Sequence, residues 1–416
     1  MLEPSKPIRE IACAARVTCW LASMCIMLAC SSDSKPMVMG GSGAGGAPAS
    51  GAGGTGATGA GAGGVAGTSN TAGGGGTMVT GGSSGSGVLD GGVGDGSEEG
   101  DATIGDDGGD APRGTGPGDW VAGDYPPDIM STDFLEISGV PGQGEHVRQY
   151  KVHVPPSYQP DVPAPLVFCI HGLGQDALLF CLAGAEMNTK SDEGGFILVM
   201  PNGYSNSWNA GTCCGAASDE QLDDVALFRA IFAEVGEHLN VDLDRVYATG
   251  LSNGGYMSYR LACEAADIFT AVAPGAAAIG INEIGGGTSA ASDFTACAPS
   301  QPVAVLDIHG TADPLIPYSL QAPTISLMAT NDGCATTTMP SSQPLSGGDT
   351  TCVSQTGCPS GIELTACTIE GGGHCWFGSP DCGTGGGDIG LAIVGANSDT
   401  MKNTDAVWDF LQRQSR

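Results

Sequence analysis

The sequence predicts an α/β fold, in which a mostly parallel central sheet carries helices on both of its faces. Short apolar runs rich in β-branched residues recur along the C-terminal part of the chain, at 166–170, 196–200, 246–249 and 303–308. Continuous apolar runs of this length are typical of parallel strands that are buried on both faces. Between the second and third runs, apolar side chains recur at helical spacing and form one stripe, at Val225, Phe228, Phe232, Val235 and Leu239. Strands that alternate with helices indicate a parallel sheet wrapped on both sides.

The first 30 residues predict export. Three basic residues precede an uncharged run, Val17–Ala29, which is typical of a signal peptide. This run is shorter than the roughly 20 residues that a membrane-spanning helix needs. It ends in Met27-Leu28-Ala29-Cys30, which resembles a bacterial lipoprotein signal, where cleavage leaves a cysteine that carries lipid. We therefore expect residues 1–30 to be a lipoprotein-type signal peptide with Cys30 lipidated; secretion with cleavage nearby is the alternative.

Residues 31–118 have the composition of a linker. They are Gly, Ala, Ser and Thr with scattered Asp, and they show no helical or strand periodicity. Such a segment buries too little apolar surface to offset the entropy of ordering it, so we expect it to be disordered. It suits a tether that holds a folded domain away from a membrane. A spacer of unselected length is the alternative.

From Asp119 onward the composition becomes globular. The remaining residues, 119–416, number about 300, enough for one large α/β domain. Residues 147–154 alternate like a strand, and 362–369 are also strand-like. A final helix is expected over 399–412, with its apolar side chains facing inward.

Charge narrows the classes of partner. The chain has 45 acidic and 14 basic residues, for a formal net charge of -31. Nucleic-acid binding requires basic surface to neutralise phosphates, so we exclude that class of partner. Lys and Arg are also too few for a polybasic membrane patch, which leaves the lipid anchor as the expected membrane contact. We expect a monomer.

Cysteine usage indicates the compartment. The chain has 16 cysteines, and a reducing cytosol would keep such thiols free, so an oxidising environment is predicted. If three are lost with the signal peptide and Cys30 carries lipid, twelve remain, an even number that suits disulfides. We therefore expect a secreted protein or a cell-surface lipoprotein, extracellular or at an outer membrane.

One segment combines a reactive side chain with the backbone context that it needs. Gly250-Leu251-Ser252-Asn253-Gly254-Gly255 directly follows a strand at 245–249 and opens a helical stretch over 256–263. A nucleophile elbow places its serine on such a strand-to-helix turn, among neighbours that let the backbone pack tightly. The same pattern at 81–85 has no strand or helix around it. Ser252 is therefore the predicted nucleophile, with a structural turn as the alternative.

A serine hydroxyl is a poor nucleophile without a base, and the base needs an orienting carboxylate. After an elbow of this kind the acid comes next in the chain and the histidine last. Asp313 stands just past an apolar strand, and His374 is the sole histidine that follows it. We therefore predict Ser252, Asp313 and His374 as a catalytic triad. His309 is expected to be structural, and Asp307, inside the strand, is the competing acid.

An oxyanion hole needs two backbone donors, one from the residue after the nucleophile and one from the first strand-to-helix loop. Asn253 is placed to supply the first. Leu173, in His171-Gly172-Leu173-Gly174, is placed to supply the second. Because both roles use main-chain N–H groups, we expect side-chain identity to decide little.

Together these motifs resemble the family of esterases that includes polyhydroxybutyrate depolymerases, feruloyl esterases and related acetylxylan esterases. The matching segments, in chain order, are Pro165–Gly172, Pro201-Asn202-Gly203 with Trp208 and Cys213-Cys214, Asp223-Asp224-Val225, Arg245–Gly255, Ile308–Asp313 and Gly372–Trp376. The resemblance extends from about Val147 to the C-terminus. It implies the α/β-hydrolase fold, the same triad and a two-step ester hydrolysis through an acyl-enzyme, without metal or cofactor. The chain departs from the family at Cys375-Trp376-Phe377 and in the Gly-rich stretch 285–292.

The resemblance also suggests disulfides. It implies a bond between Cys263 and Cys297, and one from Cys334 to one of three later cysteines, namely Cys352, Cys358 or Cys367. Cys375 and Cys382 could bridge a loop beside the predicted base. A zinc site is the alternative use of this region, with ligands Cys367, His374, Cys375 and Cys382, but it would consume that base.

Three further residues are candidates for substrate binding. Trp208 and Trp376 could stack on a phenolic acid or a sugar, and the alternative is that both pack in the interior. Asn202, like Asn209, could bind a sugar hydroxyl, although Asn beside Gly is more often part of a turn.

The sequence thus predicts an exported serine carboxylic-ester hydrolase whose substrate is polymeric or phenolic. A feruloyl esterase-like activity on plant cell-wall polysaccharide comes first. The alternatives are a polyhydroxyalkanoate depolymerase or an acetylxylan esterase with the same triad. From another class, a non-catalytic lipoprotein that binds carbohydrate is a further alternative.

Overall fold

A computed structural model of the chain describes residues 113–211, 213–279, 297–335, 337–340, 347–379, 382, 395–398 and 400–416. The predicted signal peptide, Cys30, most of the predicted linker and the Gly-rich stretch 285–292 lie outside the described residues.

The described residues form one mixed sheet of eleven strands with a parallel centre. The strands are β1 Gly123–Tyr125, β2 Leu135–Ile137, β3 Arg148–Val154, β4 Ala164–Ile170, β5 Ile197–Asn202, β6 Val241–Leu251, β7 Ala271–Gly275, β8 Ala304–Gly310, β9 Thr338–Pro340, β10 Thr350–Gln355 and β11 Leu364–Ile369. Their order across the sheet is β1-β3-β5-β4-β6-β7-β8-β11-β10-β9, and β2 pairs with β3. The run from β5 to β11 is parallel, and antiparallel strands flank it on both sides.

Helices follow most of the parallel strands. Those of the described residues are α1 Met187–Gly194, α2 Ala216–Asp219, α3 Asp224–His238, α4 Asn253–Glu264, α5 Gln321–Asn331 and α6 Asn403–Leu411. A π-helical turn spans Leu178–Gly184. None of the described helices is long and apolar enough to cross a membrane.

Both faces of the sheet are buried, as the apolar runs predict. Successive residues of β4 alternate between two separate cores: Leu166 and Phe168 belong to one, and Val167 and Cys169 belong to the other. The stripe of α3 packs on the first of these cores. Each predicted strand and the predicted α3 are present, which confirms the α/β-hydrolase type of fold.

The last helix begins later than predicted. It starts at Asn403 and not at Asp399. The reason is a separate turn before it, in which the Ser398 hydroxyl accepts hydrogen bonds from the N–H groups of Thr400 and Met401. Local side-chain acceptors of this kind compete with the helix for backbone donors.

The globular part begins earlier than the predicted boundary at Asp119. Thr115 donates its hydroxyl to the carbonyl of Leu239 over 2.6 Å and accepts the N–H of Val241 over 3.0 Å. Residues 113–118 therefore belong to the folded part, contrary to the linker prediction. Arg113 pairs with Asp244 near the amino end of β6, and the N–H of Arg416 donates to the carbonyl of the same Asp244. Both ends of the described chain thus lie at the amino edge of the parallel strands.

Six disulfides join the described cysteines in pairs: Cys169–Cys181, Cys213–Cys214, Cys263–Cys297, Cys334–Cys358, Cys352–Cys367 and Cys375–Cys382. They include the expected bonds Cys263–Cys297 and Cys375–Cys382. Of the three cysteines that the resemblance allowed as the partner of Cys334, the structure has Cys358. The zinc alternative is contradicted, because all three of its thiols are consumed by disulfides.

Candidate active site

The turn after β6 has the geometry of a nucleophile elbow. Ser252 stands between the end of β6 and the start of α4, with φ 57° and ψ -123°. Its N–H donates to the carbonyl of Gly275 over 2.9 Å. A Cβ on Gly254 would lie 2.1 Å from the carbonyl oxygen of Ile170, and one on Gly250 would lie 2.4 Å from it. Only glycine fits this close approach of β4, which explains the two glycines around the serine.

His374 and Asp313 lie within hydrogen-bond distance of each other, just past the carboxyl ends of β11 and β8. His374 Nδ1 lies 2.8 Å from Asp313 Oδ2, and both side chains are almost fully buried. The other carboxylate oxygen accepts the N–H groups of Leu315 and Ile316, each over 2.8 Å. With Nδ1–H on the carboxylate, a neutral imidazole has its lone pair on Nε2, where a general base needs it.

The environment of Asp313 favours its charged form. Burial alone would raise the pKa of this carboxyl, but His374, His309 and the Ile316 amide outweigh burial and lower the pKa well below its ordinary value. Asp313 is therefore ionised throughout the range in which an esterase works.

His309 and Asp307 occupy structural positions. His309 is buried, and its Nε2 lies 3.0 Å from the carbonyl of Ile316, across the loop that carries Asp313. Asp307 accepts hydrogen bonds from the hydroxyl of Tyr259 and from Nε2 of Gln321. Burial raises the pKa of Asp307. The competing acid is thus already occupied by two side chains of the core.

The loop after β4 contains one backbone donor, the N–H of Leu173, that has no acceptor among the described residues. Gly172 donates its N–H to Gln175 over 3.0 Å, and Gly174 donates to the carbonyl of Asn206 over 2.8 Å. Between them, the N–H of Leu173 donates to no group of the described residues. A Cβ on Gly172 would lie 3.5 Å from Cβ of Ser252, so this loop adjoins the elbow.

His171 holds that loop in place. Its Nδ1 donates to the carbonyl of Gly172 over 2.8 Å, and its Nε2 accepts the N–H of Gly203 over 2.9 Å. Burial lowers the pKa of His171 to about 4. A neutral imidazole has one donor and one acceptor, which match both contacts. His171 therefore links the ends of β4 and β5 as a neutral ring at any pH above about 4.

Trp208 and Trp376, two of the predicted substrate-binding residues, are buried inside the fold, and the third, Asn202, makes a hydrogen bond within it. Trp208 is 0% exposed and Trp376 is 3% exposed, and each donates its indole N–H inside the fold, to His171 and to Thr404. The side-chain oxygen of Asn202 accepts the N–H of Ala177 over 2.8 Å. Interior packing, the alternative interpretation, fits Trp208 and Trp376. The contact of Asn202 is not part of a turn, because it joins the end of β5 to a residue 25 positions earlier.

A buried charge network below the loop 203–214 was not predicted. Arg148 Nη1 lies 2.7 Å from Asp224 Oδ1, and both side chains are at most 2% exposed. The other oxygen of Asp224 accepts the N–H of Asn209 over 2.7 Å. The motif Asp223-Asp224 marked this position in the sequence, but its partner Arg148 lies on a strand that no spacing connects to it.

The arrangement suits acyl transfer. A serine on an elbow, a histidine oriented by a buried carboxylate, and two candidate backbone donors lie at the carboxyl ends of neighbouring parallel strands. In open parallel sheets, ligands bind at this edge. These are the parts that ester hydrolysis through a serine requires.

Comparison with known proteins agrees with this chemistry. The family model described as "Esterase PHB depolymerase" matches residues 148–318. Feruloyl esterase C of Emericella nidulans is 30% identical over 233 residues, which cover 55% of this chain and 76% of that protein. Feruloyl esterase B of Piromyces equi is 28% identical over 245 residues, and this chain spans only 42% of its length.

Among solved structures, the acetyl xylan esterase from Aspergillus awamori is similar, with a TM-score of 0.41 and 16% identity. The match covers 63% of this chain and 98% of that chain. The CE1 ferulic acid esterase from Anaeromyces mucronatus has a TM-score of 0.40 and 18% identity, covering 59% of this chain and 85% of that chain.

Proposed function

Since this chain belongs to the carboxylic-ester hydrolase family of the PHB depolymerase esterases and the feruloyl esterases, we propose that it cleaves feruloyl esters of plant cell-wall polysaccharide. The observation that carries the chemistry is the 2.8 Å contact between His374 and Asp313 at the same sheet edge as the Ser252 elbow. The names of the curated relatives favour the feruloyl group.

In the proposed mechanism, Ser252 Oγ attacks the ester carbonyl and His374 Nε2 takes its proton. Asp313 orients the imidazole and stabilises the imidazolium that forms. The N–H groups of Asn253 and Leu173 hold the negative oxygen of the tetrahedral intermediate. His374 then gives its proton to the leaving alcohol, and the acyl group stays on Ser252.

Water completes the cycle by the same route. His374 takes a proton from the water, which attacks the acyl-enzyme, and Ser252 regains its proton as the acid leaves. No step needs a cofactor. The net reaction converts one ester and one water to one carboxylic acid and one alcohol.

We also propose that the enzyme works outside the cytosol. Six disulfides among twelve cysteines support an oxidising environment. The proposed route is the signal peptide of residues 1–30, with lipid on Cys30 as the membrane anchor.

The test is the hydrolysis of methyl ferulate, p-nitrophenyl acetate and polyhydroxybutyrate by the purified full chain, with Ser252→Ala beside it. Ser83→Ala is the matched control, because Ser83 stands in the second G-x-S-x-G segment of the sequence. Release of ferulate by the wild type and by Ser83→Ala, but not by Ser252→Ala, would support the proposal. Polymer clearing without ferulate release would replace it with a depolymerase, and turnover that survives in Ser252→Ala would overturn the assigned nucleophile.

A further inference from the structure

Trp208 connects the two segments that carry the proposed oxyanion donors. Its backbone N–H donates to Asn253 Oδ1 over 2.7 Å, and its carbonyl accepts from Asn253 Nδ2 over 3.0 Å. Its indole N–H donates to the carbonyl of His171 over 2.9 Å. His171 stands two residues before Leu173, so one residue bonds to both sides of the proposed oxyanion hole.

We propose that Trp208 and the side chain of Asn253 form a brace that sets the separation of the Asn253 and Leu173 N–H groups. Both are positioning residues in this role, and neither side chain touches the substrate. The inference rests on the proposed function, since it assumes that these two amides stabilise the oxyanion formed at Ser252.

The chemistry of the Asn253 side chain makes the brace directional. Its amide pairs with the donor and the acceptor of one backbone residue, and its Nδ2 also lies 3.5 Å from Cys213 Sγ. Rotating the amide by half a turn would set donor against donor and acceptor against acceptor. Asn253 and Trp208 are both 0% exposed, so water cannot replace a lost partner. Side-chain identity at Asn253 therefore matters, contrary to the expectation from the sequence.

The loop that carries Trp208 is closed on itself. The N–H of Cys214 donates to the carbonyl of Trp208 over 3.2 Å, and the N–H of Ala210 donates to the carbonyl of Cys213 over 2.6 Å. A disulfide joins Cys213 to Cys214, and Cys213 Sγ is also the second contact of Asn253 Nδ2. The disulfide thus limits the conformations open to the part of the loop that supports the brace.

The ring of Trp208 is held on several sides. It packs against Phe228 and His171, with ring centroids 5.4 and 4.9 Å away, and the Arg148 guanidinium lies 5.8 Å from its centroid. These contacts fix the indole without using its N–H. The ring is thus packed without the hydrogen bond to the His171 carbonyl, and that bond connects the packed ring to the loop that carries Leu173.

Oxyanion donors act through their exact placement, since a displacement of about 1 Å can cost roughly 100-fold in rate. Asn253→Asp keeps the shape but replaces the Nδ2 donor with an acceptor that faces the Trp208 carbonyl. Trp208→Phe removes the indole N–H and leaves the His171 carbonyl without it. We expect kcat per active serine to fall about 10- to 100-fold in each variant, with the KM for methyl ferulate changed less than about threefold.

The matched control is Trp408→Phe, which removes an indole from α6, where Trp408 packs against Phe196. Each variant is measured as the full chain, with active serines counted by a fluorophosphonate so that misfolded protein does not enter kcat. The affinity for a boronic acid analogue of the tetrahedral intermediate is measured beside it, and it should fall in step with kcat. In Trp408→Phe we expect a lower Tm but an unchanged kcat per labelled serine.

A second pair of variants tests the disulfide. Cys213→Ser with Cys214→Ser should lower kcat in the same way, whereas Cys334→Ser with Cys358→Ser, which removes the disulfide after α5, should not. Suppose that the wild type takes the fluorophosphonate label and hydrolyses the ester. If the Asn253 and Trp208 variants then keep its kcat and its affinity for the analogue, the brace is refuted while the proposed function stands. If the wild type takes no label and cleaves no ester, both are refuted.

Discussion

His374 and Asp313 are joined by a contact of 2.8 Å between Nδ1 and Oδ2, although they are 61 positions apart in the chain. The carboxylate is fixed before it meets the imidazole, because two amides of its own loop occupy its other oxygen. The imidazole is therefore oriented by a carboxylate that its own loop holds in place. The backbone of the loop 313–316 therefore sets the direction in which Nε2 of His374 points.

Asp313→Asn should abolish most of the activity without unfolding the protein. The amide cannot stabilise the imidazolium, and it favours the wrong tautomer of His374, so we expect kcat to fall about 10⁴-fold. The measurement is kcat on methyl ferulate with labelled active serines as the reference. A loss of less than about tenfold would show that this carboxylate does not orient the base.

The acid side of the pH profile should report one titrating group. Asp313 has a pKa well below its ordinary value, so its carboxylate stays charged across the acid side of the profile and adds no step of its own there. We therefore expect log(kcat/KM) to fall with a slope of one toward acid pH. A slope of two would mean that the carboxylate titrates in the same range.

Asp332→Asn should stabilise the protein at alkaline pH. Burial raises the pKa of Asp332 to about 7, and its Oδ2 has no hydrogen-bond partner among the residues that the structure describes. The folded state thus holds a proton that the unfolded state releases near pH 4, so stability falls as pH rises from about 4 to 7 and stays reduced above. A shift of about three pKa units corresponds to roughly 4 kcal/mol, which the variant should recover at pH 8 and not at pH 4.

This prediction is measured by the free energy of unfolding of both proteins at the two pH values. Asn keeps the oxygen that accepts the Val303 N–H, so the comparison isolates the charge. An equal difference at pH 4 and pH 8 would contradict it.

Removing Asp224 should destabilise the fold strongly. Arg148 would be left charged and buried, and Asn209 would lose its acceptor, which together cost about 3–5 kcal/mol. Asp224→Ala is compared by thermal unfolding with Asp267→Ala, which breaks the exposed pair with Arg229 and should cost less than about 1 kcal/mol. Similar Tm values for the two variants would refute the importance of the buried pair.

The bond between Cys263 and Cys297 should contribute to stability through the loop that it closes. The cysteines are 34 positions apart, for which loop closure predicts about 3–4 kcal/mol. Cys263→Ala with Cys297→Ala should therefore lower the free energy of unfolding by about that amount. An unchanged Tm would contradict it, as would free thiols at these positions in the unreduced wild type.

The central strands and the order of the candidate triad could be predicted from the sequence because they depend on local signals. Val167 and Leu198 stand in continuous apolar runs. Ser252 stands in a short strand-to-helix motif that is visible in the sequence, although the contact that requires its glycines comes from Ile170 on β4. His374 followed from counting, since no other histidine comes after Asp313.

The positions of the tryptophans could not be predicted in this way. Residue type shows that Trp208 is large and apolar with one donor, but a pocket wall and an interior core need the same properties. Its direction is decided by Asn253 and His171, which lie 45 and 37 positions away. Arg148 and Asp224 meet for similar reasons, 76 positions apart and on elements that only the complete sheet brings together.

Both ends of the described chain meet near Asp244, at the amino edge of the sheet, whereas Ser252, Asp313 and His374 stand at its carboxyl edge. Arg113 and Arg416 therefore lie on the side of the described domain opposite the candidate site. Immobilising the enzyme on a solid support through Arg416 should leave the reactive serine facing the solution. Large insoluble polymers should then be as accessible to the bound enzyme as to the free one.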